Sequence, residues 1–371
     1  MRLSYALIDI SNLKYNFLNI RKKINDVRIM AIVKADAYGH GVMEVVKALN
    51  SLHEKPEYYG VAILEEAIEL RRNNITQPIL IFNPAIENDS DLFSKNDLIS
   101  SVFNEKHLSI LKKANQIKGR KIKVHVKVDT GMHRLGIDYR AAFDFIKKLS
   151  RDKNFIIDGI YTHFANSDER NKSYAFIQLN RFNDVLEKLK AEGIHYGLAH
   201  AANSGAILDI PESYFDMVRP GILLFGYYPS EDSSKSILLE PVMSLISYIE
   251  SIKLIDKNES ISYGRQYYTK RKTNIASVPI GYADGYTRAL SNRSKAIING
   301  KYFPQVGNVT MDRIMFDIAN ESCKIGDEVI LLGKEKNTNL QFSAWDWCKL
   351  VNTIPYEVMC GISKRIPRIY R

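Results

Sequence analysis

Cysteine is scarce in this chain of 371 residues: only Cys323, Cys348 and Cys360 occur, with no CxxC pair and no histidine clustered beside them. That scarcity makes a disulfide-stapled fold and a zinc site both poor readings (no metal is expected) and fits a reducing cytosol better. Long apolar runs are also missing, since none approaches the roughly 18 residues a membrane helix needs. The opening Met1-Arg-Leu-Ser-Tyr-Ala-Leu-Ile-Asp-Ile10 has no basic region followed by an uninterrupted apolar stretch, so no signal peptide is expected. The expectation is a soluble, cytoplasmic protein without membrane partners.

Acidic residues are outnumbered 42 to 52, which gives a net charge of +10. The excess invites a nucleic-acid reading. Its distribution argues against one. Basic residues come in short clusters such as Arg21-Lys22-Lys23, Lys112-Lys113 and Lys147-Lys148, interleaved with acids and with no RNP-type aromatic motif. A solvated surface that steers anionic ligands toward a cleft is the better account.

What is present is alternation. Short apolar runs recur at Ile29–Val33, Tyr59–Ile63, Ile79–Phe82, Leu98–Val102, Ile122–Val128, Phe155–Thr162, Tyr196–Ala199 and Met217–Phe225. Stretches with apolar residues three and four apart lie between them, for example Val42–Leu49 and Phe176–Leu189. Eight strands, each with room for a helix, is the pattern of a TIM-type (β/α)8 barrel. A doubly wound sheet would need a glycine-rich GxGxxG turn after its first strand, and Lys34-Ala-Asp-Ala-Tyr-Gly-His-Gly41 is not one. Beyond about residue 235 short β-prone segments take over (Met243–Ile252, Asn274–Ile280, Arg313–Ile318), punctuated by Asp284-Gly285, Asn299-Gly300 and Gly326-Asp327, with one helical stretch near Phe342–Leu350. The fold expected is therefore α/β: an N-terminal barrel over residues 11–235 followed by a mostly-β domain over 236–371, with residues 1–10 forming a strand that joins the second domain.

In such a barrel, polar residues at the C-terminal ends of strands carry the chemistry. Those positions hold Lys34, Lys127, Arg134, His163, His200, Asn203, Ser204 and Arg219, with Gly221 just after. Four cations around one mouth call for an anionic ligand, most naturally one bearing phosphate and carboxylate. Lys34, held beside other cations, is placed to attack a carbonyl and form a Schiff base. Pyridoxal 5′-phosphate (PLP) pairs an aldehyde with a phosphate, but an aldolase satisfies the same observations.

The motifs narrow this further. Val33-Lys-Ala-Asp-Ala-Tyr-Gly-His-Gly41, Lys127-Val-Asp-Thr-Gly-Met-His-Arg-Leu-Gly136, Thr162-His-Phe-Ala165, Asn203-Ser204, Met217-Val-Arg-Pro-Gly221, Ser262-Tyr-Gly264, Pro279-Ile-Gly-Tyr-Ala-Asp-Gly-Tyr286, Val309-Thr-Met-Asp312 and Tyr356-Glu357 follow one another in order. With them the chain resembles the alanine racemases, PLP enzymes built of a barrel and a β-domain, from Ala6 to Arg368. The resemblance implies that Lys34 holds PLP through a Schiff base and serves as one base, and that Tyr263 of a partner subunit is the opposing base. It implies Tyr38, Ser204, Gly221, Ile222 and Tyr356 at the phosphate, Arg219 at the pyridine nitrogen and His163 against the ring. Arg134 and the backbone of Met311 would bind the substrate carboxylate, Tyr282 would narrow the entrance, and Lys127 is the position that often carries a carbamate. Thr310 and His133 stand where some members have other residues. The expected reaction is interconversion of L- and D-alanine by a homodimer with shared sites, supplying D-alanine for the cell wall. Rivals are a broad-specificity racemase, a PLP-dependent decarboxylase, whose residue at the pyridine nitrogen should be acidic rather than Arg219, and a non-catalytic PLP carrier, which should lack the β-domain.

Overall fold

A computed structural model describes residues 3–88, 90–114, 121–336 and 338–371. It divides into two compact units, one of Lys14–Ala37 with Val42–Glu240, the other of the N-terminal segment ending at Leu13, Tyr38–Gly41 and Pro241–Arg371.

The first unit carries eight parallel strands: Arg28–Ile32, Tyr58–Val61, Ile79–Ile81, Ile99–Val102, Ile122–Asp129, Phe155–Tyr161, Leu198–His200 and Met217–Val218. The first seven pair in chain order, and Met217–Val218 returns to pair with Arg28–Ile32. Asp216 N–H donates to the Ala199 carbonyl at 3.1 Å and Arg219 N–H to that of Ala202 at 2.9 Å, which closes the ring. The strands read as near-continuous apolar runs because helices cover their outer faces. Helix Tyr139–Ser150 shows the outer layer: Ala142, Phe145, Ile146 and Leu149 are buried at helical spacing, and the Asp138 carboxylate caps its start by accepting from Arg140 N–H.

The expected runs are found with three departures. Met217–Phe225 is a strand only to Val218, because Pro220 offers no N–H to a ladder and the chain then turns through Ile222–Phe225 as a 3₁₀ helix. Tyr196–Ala199 shifts to Leu198–His200, since Gly197 adopts φ 69° where any Cβ would meet the Asp158 carbonyl oxygen at 2.2 Å. The third departure is at Lys34–Gly39, where Ala35, Asp36, Ala37 and Tyr38 all have φ of 52–54°. Their turn therefore winds left-handed, at about 1–2 kcal/mol per residue.

In the second unit a sheet runs in the order Lys301–Pro304, Lys295–Ile298, Glu328–Lys334, Met243–Tyr248, Tyr5–Ile8 and Arg368–Tyr370, with Gln341–Phe342 beside Glu328–Lys334. Of the opening ten residues, Tyr5–Ile8 form the strand and the first two lie outside the described residues. A second sheet joins Ser251–Ile255, Thr273–Val278 and Ile314–Ala319. The single strand expected over Met243–Ile252 is thus two, broken at Ile249–Glu250. Asn299 and Gly300, both at positive φ, make the two-residue hairpin expected of them. The late helix spans Ala344–Val351, and Pro355–Gly361 adds one the periodicity did not indicate. Trp347 anchors this unit, its ring edge-on to Tyr286 at 4.9 Å and its indole N–H donating to the Leu331 carbonyl. No helix among the described residues is long and apolar enough to cross a membrane.

Candidate active site

Lys34 follows the first barrel strand by two residues and opens the left-handed turn. Three bonds hold that turn against its strain. Ala37 N–H donates to the Val33 carbonyl at 2.9 Å, Ala35 N–H to a Glu66 carboxylate oxygen at 2.6 Å and Val42 N–H to Asp36 at 2.7 Å. The strain of residues 35–38 is thus held by the surrounding structure rather than by local preference.

The interior next to Lys34 is crowded with positive charge. Lys127 projects from Ile122–Asp129 with its Nζ 5.6 Å from the Tyr161 ring centre, and the Arg219 guanidinium lies 5.5 Å from the same ring. Burial, then Arg134 and Arg219, with a smaller contribution from Lys34, lower the Lys127 ammonium to about 8. Asp129 opposes that shift. Its carboxylate is already engaged, accepting from the N–H groups of Gly131 and His133 in the loop that leads to Arg134.

Arg219 is fully buried and multiply bonded. Nη1 donates to Nδ1 of His200 at 2.8 Å, and Nη2 to the carbonyls of Thr162 at 2.7 Å and Ala201 at 2.9 Å, with Nδ1 of His163 at 3.4 Å. Burial pulls the guanidinium down to about 10, so it stays charged at neutral pH. His163 is held well below the usual imidazole range, first by burial and then by Arg219, Arg134, Lys127 and Lys34. All four expected cations thus act on one ring. The loop bearing His163 is fixed by Gln178, which takes the Ala165 N–H and donates to Thr130 Oγ1 and the His163 carbonyl.

Nearby in chain order, Asn203 caps Ser204–Asp209 through the Ala206 N–H, and the Gly221 N–H donates to Ser204 Oγ at 3.0 Å. Ser204, Gly221 and Ile222 are therefore brought together as hydroxyl and backbone donors. Their chemistry suits a phosphate, as the Lys34 amine suits an aldehyde and Arg219 an aromatic nitrogen. The barrel residues thus fit PLP.

In the other unit the Tyr38 and Tyr356 rings lie 5.9 Å apart, and burial raises the Tyr38 phenol far above its ordinary value. Gly39 beside it has φ 78°, and any Cβ there would meet the Met359 carbonyl oxygen at 2.5 Å. Tyr282 and Met311 belong to one knot of backbone, Tyr282 N–H donating to the Thr310 carbonyl and Ala283 N–H to that of Met311. Tyr263 is held at its backbone, its carbonyl accepting from Asn308 Nδ2 at 2.7 Å, while the residue as a whole is 76% exposed. Met311 is 52% exposed in the same chain. His125, Asp158 and Tyr161 were not singled out by the motifs, although His125 sits two residues before Lys127 and so shares its side of the strand.

A barrel with a lysine at a strand end among other cations, a cluster of hydroxyl and backbone donors and a mostly-β domain after it defines the class of barrel-type amino-acid racemases. The models "Alanine racemase, N-terminal domain" and "Alanine racemase, C-terminal domain" match residues 8–229 and 242–370, and the chain belongs to the alanine racemase family. Alanine racemase 2 of Caldanaerobacter subterraneus subsp. tengcongensis is 43% identical over 98% of this chain and 93% of its own. The structure of alanine racemase from Clostridium difficile 630 matches with a TM-score of 0.93 at 39% identity, covering 99% of this chain and 95% of that one. That of Bacillus anthracis alanine racemase with bound L-Ala-P matches at 0.92 and 35% identity, covering 100% and 95%.

The buried imidazoles set a pH dependence. His125, His163 and His200 are all held below 6.5 by burial, so the unfolded chain binds protons there more readily than the folded one. Their contribution is complete above pH 6.5 and declines as the pH falls below it toward the folded values. The urea midpoint should drop between pH 7.5 and 5.5, with a loss of about 1 kcal/mol or more. A midpoint that stays constant across that window would contradict neutral burial of these rings.

Proposed function

We propose that this protein is a PLP-dependent alanine racemase that interconverts L- and D-alanine, acts as a cytoplasmic homodimer with shared sites, and supplies D-alanine for the cell wall. The observation that carries the reading is the convergence of Lys34, Lys127, Arg134 and Arg219 on His163, a cationic pocket suited to a ligand with phosphate and carboxylate. PLP, when bound, supplies the electron sink that acidifies the substrate α-carbon.

The chain's own residues do the rest. Lys34 holds the cofactor and moves the α-proton on the D-face, and Tyr263 of the partner does so on the L-face. The exposure of Tyr263 and Met311 in the single chain supports their completing a neighbour's site. Ser204, Gly221, Ile222, Tyr38 and Tyr356 hold the phosphate, Arg134 and Met311 N–H the substrate carboxylate, and His163 lies against the ring. Tyr282 narrows the way in, which favours a small side chain over a broad-specificity pocket. Arg219 donates to the ring nitrogen without surrendering its proton, which moderates the sink and disfavours side reactions. Decarboxylation on this scaffold calls for an acid there, and Arg219 is the residue present.

Lys127 at about 8 has an appreciable neutral fraction at neutral pH, the form that adds CO₂. A carbamate there would give Arg134 and Arg219 an anion to face. Native mass measurement in bicarbonate should show one CO₂ per chain, lost in Lys127→Ala; an unchanged mass would count against it.

The two-base scheme is tested by solvent exchange. Tyr263→Phe should depress kcat/KM equally in both directions, because the enantiomers have equal free energy. With Lys34 intact it should still exchange the α-proton of D-alanine for deuterium while exchanging that of L-alanine far more slowly. Faster exchange of L-alanine would reverse the face assignments, and normal racemisation would remove Tyr263 as a base.

A further inference from the structure

Arg219 has partners on its far side that no role described above requires. Its Nη1 donates to His200 Nδ1 at 2.8 Å, His200 Nε2 lies 2.9 Å from His125 Nδ1, and His125 Nε2 lies 3.1 Å from Asp158 Oδ2. Tyr58, which opens its strand, donates to the same carboxylate oxygen at 3.2 Å. Both imidazoles are wholly buried, and the Tyr161 ring stacks on His200 at 4.9 Å and 5°.

The polarity of this chain is not free. A guanidinium only donates, so His200 Nδ1 must accept and its proton must sit on Nε2. His125 Nδ1 then accepts from His200, which places the His125 proton on Nε2, facing Asp158. A carboxylate only accepts, so every link agrees in direction from the cation at one end to the anion at the other. With one end changed, the two rings can turn their protons round, and His200 would then present N–H to Arg219, donor against donor.

The backbone is built around this line. The ladder between Ile122–Asp129 and Phe155–Tyr161 carries a register shift between Val124 and His125, so that Val124 pairs with Ile157 but His125 with Gly159. Asp158 is the extra residue of that bulge, which re-aims its side chain to His125. The next residue is glycine for a reason of space: a Cβ at Gly159 would lie 2.7 Å from His125 Cε1 and 2.8 Å from its Nδ1.

We infer that Asp158 and His125 are positioning residues for the reaction: with His200 they form a one-way hydrogen-bond relay through the barrel interior that holds Arg219 in a fixed orientation as a donor. That Arg219 faces the cofactor's ring nitrogen rests on the proposed function; the relay itself does not. The burial that keeps both rings neutral agrees with it, as does the lowering of Asp158 by its bonds to His125 and Tyr58.

The test is side-chain ¹⁵N NMR of histidine-labelled protein, with and without PLP, alongside kinetics. In the wild type both His125 and His200 should be neutral with the proton on Nε2. Asp158→Leu, which removes the acceptor that an asparagine oxygen would keep, should leave the His125 proton without a fixed side, populate Nδ1–H forms alongside Nε2–H, and lower kcat by about ten- to a hundredfold with little change in KM. Asp158→Glu should recover the Nε2–H form and most of the activity. Wild-type rings that are charged, or that carry the proton on Nδ1, would overturn the relay without any variant having to fold. So would a folded Asp158→Leu enzyme with unchanged kcat. Nε2–H rings in a wild type that racemises no alanine would support the relay and sink only the racemase reading.

Discussion

The structure turns on the cost of gathering positive charge inside a barrel. Lys127 and Arg219 are almost completely buried, with Lys34 and Arg134 near enough to shift their neighbours. Charges taken from water must be paired, hydrogen-bonded or discharged. Two of these remedies are used here on different residues: Arg219 is solvated by two carbonyls and an imidazole, and Lys127 is lowered to about 8. Burial, and then the same concentration of charge, hold His163 well below the usual imidazole range, so a ring that would otherwise titrate near neutrality becomes a fixed hydrogen-bonding group.

Local strain and distant support are coupled at Lys34. Four consecutive residues at positive φ cost several kcal/mol at about 1–2 each. Local preference cannot hold such a turn, and Glu66 is one of the groups that does, its carboxylate accepting from Ala35, Ala62 and Ile63 N–H. One acid thus ties two strand-end loops together and steadies the turn that Lys34 opens.

How much of this was legible in the sequence follows from how local each feature is. The barrel strands are doubly buried, so they appear as bare apolar runs, and the strand-end cations stand out against them. The meeting of Ser204 with Gly221 was legible because Asn203-Ser204 and Arg219-Pro-Gly221 are short motifs that each follow a barrel strand. The left-handed turn was not, because Ala35, Ala37 and Tyr38 have no preference for positive φ. Nor was the partnership of His125 with Asp158. Strict alternation along Phe155–Tyr161 gives no reason to aim Asp158 at His125, and the bulge that does so is a property of two paired strands rather than of either alone. In the β-domain, Tyr263 is one of 21 tyrosines, and only the Ser262-Tyr-Gly264 motif marks it out.

The central claim is that this cationic barrel serves a racemase specific for a small amino acid. Incubating the PLP-loaded protein separately with L-alanine and with D-alanine, and resolving the enantiomers by chiral chromatography, tests it directly. Both reactions should converge on equal amounts of the two forms, with no loss of amino acid and with larger L-amino acids turned over far more slowly. Release of carbon dioxide, or enantiomers left unchanged by fully loaded protein, would contradict it.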